Sequence, residues 1–64
     1  MKIATAKKLA AEQNFAFEYS NSLRLYVLQD RQEGWPDQYF PGSALRSMQE
    51  NVFLEFFLRA KPAA

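Results

Sequence analysis

The side chains that could carry acid–base or nucleophilic chemistry in this sequence are carboxylates and serines. The chain contains no His and no Cys, so no Ser has a group that could activate it, and the usual zinc ligands are missing. The Glu and Ser residues all have charge-pair, solvent, turn or cap explanations. They are Glu12, Glu18, Glu33, Glu50, Glu55, Ser20, Ser22, Ser43 and Ser47. The sequence therefore predicts a protein that is not an enzyme and that holds no metal or cofactor.

Binding chemistry is better represented, because aromatic residues make up 16% of the chain. The segment 29–42 reads as an irregular loop, and loops longer than about 12 residues are uncommon unless they are functional or disordered. It contains Trp35, Tyr39 and Phe40. Aromatic residues of this kind are over-represented among interface hot spots, and the alternative is that they close the edge of a small core. We take all three as candidate protein-binding residues.

The most apolar stretch is Val52–Leu58, in which Glu55 is the one polar residue. It is far shorter than the about 20 residues that cross a bilayer, so we expect it to pack against protein. A helix over about 44–60 is predicted, with Ser43 as N-cap or, if the helix starts late, a capping box between Ser47 and Glu50. Lys61 and Pro62 would end it.

The charges of this segment favour the helix over a strand, since Arg46 with Glu50 and Glu55 with Arg59 have the i,i+4 spacing of helical ion pairs. As a strand, the same residues would alternate between two faces. One face of the helix would bury five apolar side chains. These are Leu45, Met48, Val52, Phe53 and Phe56.

Three large apolar residues of the same helix, Leu54, Phe57 and Leu58, fall on its far side. Burying such a side chain is favourable by about 1.5–3 kcal/mol, so their exposure would be costly. We therefore predict a homodimer with Phe57 near the interface centre and the other two beside it. The alternative is that the first helix covers this face within one monomer.

The first helix is predicted over residues 3–13, which are rich in Ala and Leu. Its apolar stripe consists of small side chains, so it should lie close to whatever it covers. The stripe comprises Ile3, Ala6, Leu9 and Ala10, with Gln13 a turn later. Asn14 suits the left-handed position that follows a helix.

Residues 15–28 change to the alternating pattern of a hairpin, with Ser20, Asn21 and Ser22 as the turn. A turn centred at Asn21 aligns one apolar face and one charged pair. The predicted partners are Tyr19 with Leu23, Phe17 with Leu25, Phe15 with Val27 and Glu18 with Arg24. An isolated two-stranded hairpin is marginal in water, so a third strand at 38–40, or the same strand of a second subunit, should complete the sheet.

The fold class predicted from these elements is α+β, in the order helix, β-hairpin, aromatic loop and C-terminal helix. A helix over 22–33, ended by Gly34, Trp35 and Pro36, is the alternative. It would make the chain an all-α three-helix bundle. Residues 1–64 are expected to form a single small domain.

Domains of this size are usually stabilised by disulfides, a metal or a second protein. The chain has no Cys and no His for the first two, so we expect its partner to be another protein. We predict a small cytoplasmic regulator or inhibitor, of a kind that phages and mobile elements encode. It would bind a second copy of itself, a larger protein, or both, and it would not bind a membrane. The alternative is a nucleic-acid-binding regulator that uses the terminal cations. They are Lys2, Lys7, Lys8, Arg59 and Lys61, in a chain of net charge +1.

Overall fold

A helix, a three-stranded antiparallel sheet and short C-terminal helices make up the fold in a computed structural model that describes residues 1–32 and 34–58. The elements are α1 (Ile3–Glu12), β1 (Phe15–Ser20), β2 (Leu25–Asp30), β3 (Gln38–Phe40), α2 (Gly42–Ser47), α3 (Glu50–Phe53) and a π-helical turn (Leu54–Leu58). The strand order is β1-β2-β3. The predicted α+β fold and the third strand at 38–40 are confirmed. The all-α alternative is wrong, because β2 occupies the segment that it required to be helical.

Helix α1 lies close to the sheet because its inner residues are small. Ala6 and Ala10 are completely buried, and Ile3 and Leu9 pack against the core beside them. The helix ends where the sequence predicts, since Asn14 has a φ of 64°. Its carbonyl accepts a hydrogen bond from the Arg31 backbone N–H at 3.2 Å. That bond joins the beginning of β1 to the end of β2.

The hairpin forms, but the register predicted for it is wrong. Tyr19 pairs with Tyr26, Phe17 with Leu28 and Glu18 with Val27. The pairing has therefore slipped by three residues from the one that the sequence suggested. Because side chains alternate between the two faces of a strand, an odd slip turns every residue of β2 to the other face.

The loop between β1 and β2 explains this slip, because it is longer than the predicted turn. The Arg24 N–H donates to the Ser20 carbonyl at 2.7 Å, and the Leu23 N–H donates to the Ser20 hydroxyl oxygen at 3.3 Å. Arg24, with a φ of 56°, takes the left-handed conformation that we expected of Asn21. Arg24 is consequently part of the loop and does not face Glu18 across the sheet.

The C-terminal helix predicted over 44–60 is interrupted within its described part. Met48 and Gln49 have extended backbones, with ψ angles of 141° and 148°, so α2 and α3 are separate helices. Neither helix has a side-chain cap at its N-terminus. The Ser47 hydroxyl donates instead to the Ser43 carbonyl at 2.9 Å. The break also removes the helical spacing between Arg46 and Glu50, while Arg59 and Ala60 lie outside the described residues.

The π-helical turn changes which side chains of the apolar segment point inward. A π-helix bonds residues five apart rather than four, and Leu58 accordingly lies on the same side as Phe53, both with 0% exposure. Leu54 and Phe57 are half-buried and pack against the core. Phe56, which we placed inside, is 64% exposed. The surplus face that led us to predict a homodimer around Phe57 is thus internal to the chain.

Phe53 lies at the centre of the aromatic core. Its ring meets Phe17 of β1 edge-on at 6.4 Å and Phe40 of β3 at 6.0 Å, between ring centroids, and it lies 6.2 Å from Phe57. The ammonium group of Met1 adds a polar link, since it donates to the carbonyls of Arg46 at 2.9 Å and Met48 at 2.7 Å. The C-terminal segment therefore closes the same sheet face that α1 covers.

Replacing Phe53 by Ala should remove most of the stability of the fold. Loss of a fully buried Phe costs about 3–5 kcal/mol, a large share of the total for so small a domain. The matched control is Phe56→Ala, which we expect to change the free energy of unfolding by no more than about 0.5 kcal/mol. Urea denaturation followed by circular dichroism measures both changes. Equal losses would contradict the placement of these two residues.

Candidate docking surfaces

The three aromatic residues of the predicted loop lie on different sides of the sheet. Phe40 is buried and Trp35 is half-buried against the core, so both stabilise the inner face. Tyr39 alternates with Phe40 in β3 and points to the opposite face, where it is 50% exposed. Among the six residues predicted for protein binding, Tyr39 is the most exposed. Leu58 and Phe40 are buried and offer almost no area to a partner.

One face of the sheet carries no helix of the described chain, and we call it the open face. The buried cluster that includes the helices lies entirely on the side of Phe17, Leu28 and Phe40. On the open face, Val27 is directly opposite Tyr39, and Leu25 lies two residues along β2. These three residues form an apolar stripe across the centre and one edge of the sheet, which we call the open-face stripe.

Polar side chains surround the open-face stripe. Glu18 lies beside Val27 in the neighbouring strand, and the Gln29 side-chain amide donates to the Asp37 carboxylate at 3.3 Å. Next to the stripe is an open depression of about 250 Å³, lined by Glu18, Tyr19, Ser20, Val27 and Gln29. An apolar centre with a polar rim is the usual anatomy of a protein interface.

A second depression lies on the other side of β1, between that strand and α1. It has a volume of about 310 Å³, and we call it the β1 cleft. It is lined by Ile3, Lys7, Phe17, Glu18, Tyr19 and Tyr26. Its aromatic wall is ordered, because the Tyr26 ring stacks on Phe17 at 5.4 Å and meets Tyr19 edge-on at 4.9 Å. Lys7 brings a positive charge to this wall.

The cations proposed for nucleic-acid binding are only partly described. Lys2 precedes α1, and Lys7 and Lys8 lie on it; all three are exposed. Arg59 and Lys61 lie outside the described residues. Lys7 and Lys8 are therefore on the helical side of the sheet, away from Tyr39.

No constellation for metal binding or for membrane insertion occurs in the described part of the chain. Residues 1–32 and 34–58 contain no cluster of three His, Cys, Asp or Glu side chains that could hold a metal ion. None of their helices has the length and hydropathy needed to cross a membrane.

The buried carboxylate of Asp30 accepts hydrogen bonds from the backbone N–H groups of Gln32 at 3.0 Å and Gly34 at 3.2 Å, which orders the loop after β2.

No protein-family model, no curated protein and no solved structure matches this chain. Its function has to be argued from its own surfaces. The open-face stripe and the β1 cleft are the two candidates. Sequence reasoning identified only Tyr39 of the stripe and Lys7 of the cleft, because the predicted register put Leu25 and Val27 on the inner face. One signal was available in β2, whose first four residues are all apolar.

The orientation of β2 can be tested with two neighbouring residues. Leu28→Lys should unfold the protein, because Leu28 is 1% exposed and an unpaired buried charge costs several kcal/mol. Val27→Lys points to the open face and should cost no more than about 1 kcal/mol. Thermal unfolding followed by circular dichroism measures both. The register that we first predicted gives the reverse order, so greater damage from Val27→Lys would contradict the observed pairing.

Proposed function

We propose that this chain is a small non-catalytic protein-binding module that docks onto a larger protein through the open-face stripe. The observation that supports it is the apolar character of β2 on both faces. Tyr26 and Leu28 are directed to the core, while Leu25 and Val27 are directed outward. Continuous apolar runs are typical of strands that are covered on both sides. In this chain one side has a cover and the other has none among the described residues.

Tyr39 is the residue on which we expect the binding energy to concentrate. It is half exposed, lies opposite Val27 and has a rigid ring with a polar end. Tyrosine combines a large apolar area with one hydrogen-bonding group, and it is enriched among hot spots. The polar rim formed by Glu18, Gln29 and Asp37 would then provide orientation.

The activity that fits such a module is regulation or inhibition of its partner in the cytoplasm. The chain has no His or Cys with which to transform a substrate, so an effect on another protein would come from occupying that protein's surface. A second copy of this chain is the alternative occupant of the open face. Sedimentation of the purified protein separates the two possibilities, since self-association requires no other component.

Replacing Tyr39 by Lys should abolish partner binding without unfolding the protein. The side chain makes its contacts on the open face, so we expect a melting temperature within a few degrees of the original. Tagged wild-type and Tyr39→Lys proteins are compared by affinity capture and mass spectrometry. Ser43→Lys, an exposed change in α2 on the helical side, is the matched control.

The expected result is a protein that is retained by the wild type and by Ser43→Lys and is lost with Tyr39→Lys. The captured protein, once purified, must then bind the wild type and Ser43→Lys but not Tyr39→Lys. Capture that is equal for all three variants, or no specific capture, would show that the open-face stripe is not a docking surface.

Nucleic-acid binding is the second candidate function, and the β1 cleft is what favours it. Lys7 adjoins three aromatic rings there, and aromatic stacking with cations is common in single-strand binding. Against it, Lys7 and Lys8 lie on α1 and Lys2 just before it, while Arg24, Arg31 and Arg46 lie in other parts of the chain. The open-face stripe is bordered by Glu18 and Asp37. This distribution is not the extended basic patch of a nucleic-acid interface.

We therefore expect no submicromolar binding to single-stranded or duplex nucleic acid at about 150 mM salt. Fluorescence anisotropy with labelled oligonucleotides measures this. Tight binding that is lost in the double variant Lys7→Glu with Lys8→Glu would replace protein docking by nucleic-acid binding as the main function.

A further inference from the structure

Strand β1 is an edge of the sheet, and no second strand from residues 1–32 or 34–58 pairs with its outer side. It has six residues in continuous register with β2, from Phe15 opposite Asp30 to Ser20 opposite Leu25. It contains no Pro, no Lys and no bulge, which are three of the devices that block pairing at an edge, and Glu18 is its one charged residue. The other edge is different, because β3 has only three residues and lies between Pro36 and Pro41. Strand addition is therefore favoured at β1.

Depressions lie on both sides of this edge. The β1 cleft is on the helical side and the open depression is on the other, and both are lined by Glu18 and Tyr19. A strand added beside β1 would direct alternate side chains to the two faces. Its inward side chains would meet the β1 cleft. Addition at an edge obtains its affinity from main-chain hydrogen bonds and its specificity from such pockets.

The chemistry of the β1 cleft indicates which side chains fit. Phe17, Tyr19 and Tyr26 form an apolar wall, so the cleft suits a large apolar or aromatic side chain. Lys7 lines the same space from α1 and favours a carboxylate. Glu18 also borders the cleft, but its position in β1 alternates with Phe17 and Tyr19 and so belongs to the open face. The ring and the carboxylate must both come from inward positions of the added strand, and successive inward positions are two residues apart.

We infer that β1 is a second docking site, which binds an extended peptide of another protein that carries an aromatic and an acidic residue two positions apart. The peptide adds as a fourth strand beside β1, and its aromatic ring enters the β1 cleft while its carboxylate pairs with Lys7. This site is separate from the open-face stripe, and it does not depend on Tyr39.

Blocked synthetic peptides with the length of β1 test this inference. Two probes have a Thr background with Phe and Glu two apart, one in each order. One control has the same composition with Phe and Glu adjacent, and another has Lys in place of Glu. Titration to about 1 mM is followed by NMR of the backbone amides. We expect at least one probe to bind and to shift the amides of Phe17, Glu18 and Tyr19.

The adjacent-residue control should bind at least about tenfold more weakly, because its ring or its carboxylate faces the wrong side. The Lys control should be weaker by about two- to fivefold. In the Lys7→Glu protein the preference between Glu and Lys peptides should reverse. Lys8→Glu, a neighbouring exposed change that does not line the cleft, should leave it unaltered.

Three results would overturn the inference: no binding by either probe, equal binding of probes and controls, or shifts confined to Val27 and Tyr39. Concentration-dependent protection of the β1 amides in the protein alone would also overturn it, since a second copy would then be the occupant. If the Tyr39→Lys protein still binds the probes, peptide binding at β1 does not depend on the open-face stripe, and the two proposals are tested separately.

Discussion

The pairing of Tyr19 with Tyr26 is the constraint on which the rest of this structure depends. It sets the faces of β2, so Leu28 joins the core and Val27 does not. Strand β3 pairs with β2 in turn, and the same constraint brings Phe40 inward and Tyr39 outward. A hairpin with an odd number of loop residues, such as the three-residue turn that the sequence suggested, would reverse all of these assignments. The four-residue loop that ends at Arg24 therefore decides which apolar side chains are available to a partner.

The inner face is closed by a segment that has to adapt to the sheet. A regular helix over Val52–Leu58 would have left Leu54, Phe57 and Leu58 together on its outer side. Extended backbone at Met48 and Gln49 reorients the chain, and the π-helical turn then aligns Phe53 with Leu58. Phe56 is the one large apolar residue of this segment that is mostly exposed. The packing of three aromatic rings around Phe53 outweighs the preference for an uninterrupted α-helix.

Local signals predicted the elements that depend on short-range physics. The small-residue stripe and Asn14 gave α1 almost to the residue, alternation gave β1, and the marginal stability of a two-stranded hairpin indicated β3. The register was missed because it depends on backbone hydrogen bonds of the loop: Asn21 is the better left-handed residue by type, yet Arg24 adopts that conformation. The break at Met48 was missed because the segments on both sides of it, α2 and α3, have ordinary helical sequences. No local signal marks the break, which accompanies the packing of α3 on the sheet. The candidate site depended on the register, and consequently Tyr39 was the one member of the open-face stripe that the sequence identified.

The open-face stripe is not needed for the fold that it lies on. Strand propensity would be served as well by Thr at these outward positions, since β-branched polar residues also suit a pleated surface. Nor does the stripe extend the core, because the sheet separates it from the buried cluster. Tyr39 is half exposed, while Leu25 and Val27 are partly buried, so part of the stripe faces solvent. Exposed apolar area costs free energy and promotes association, and a domain of this size has little stability in reserve. The docking that we propose would cover the apolar row at Leu25, Val27 and Tyr39, and the polar rim would then meet polar groups of the partner.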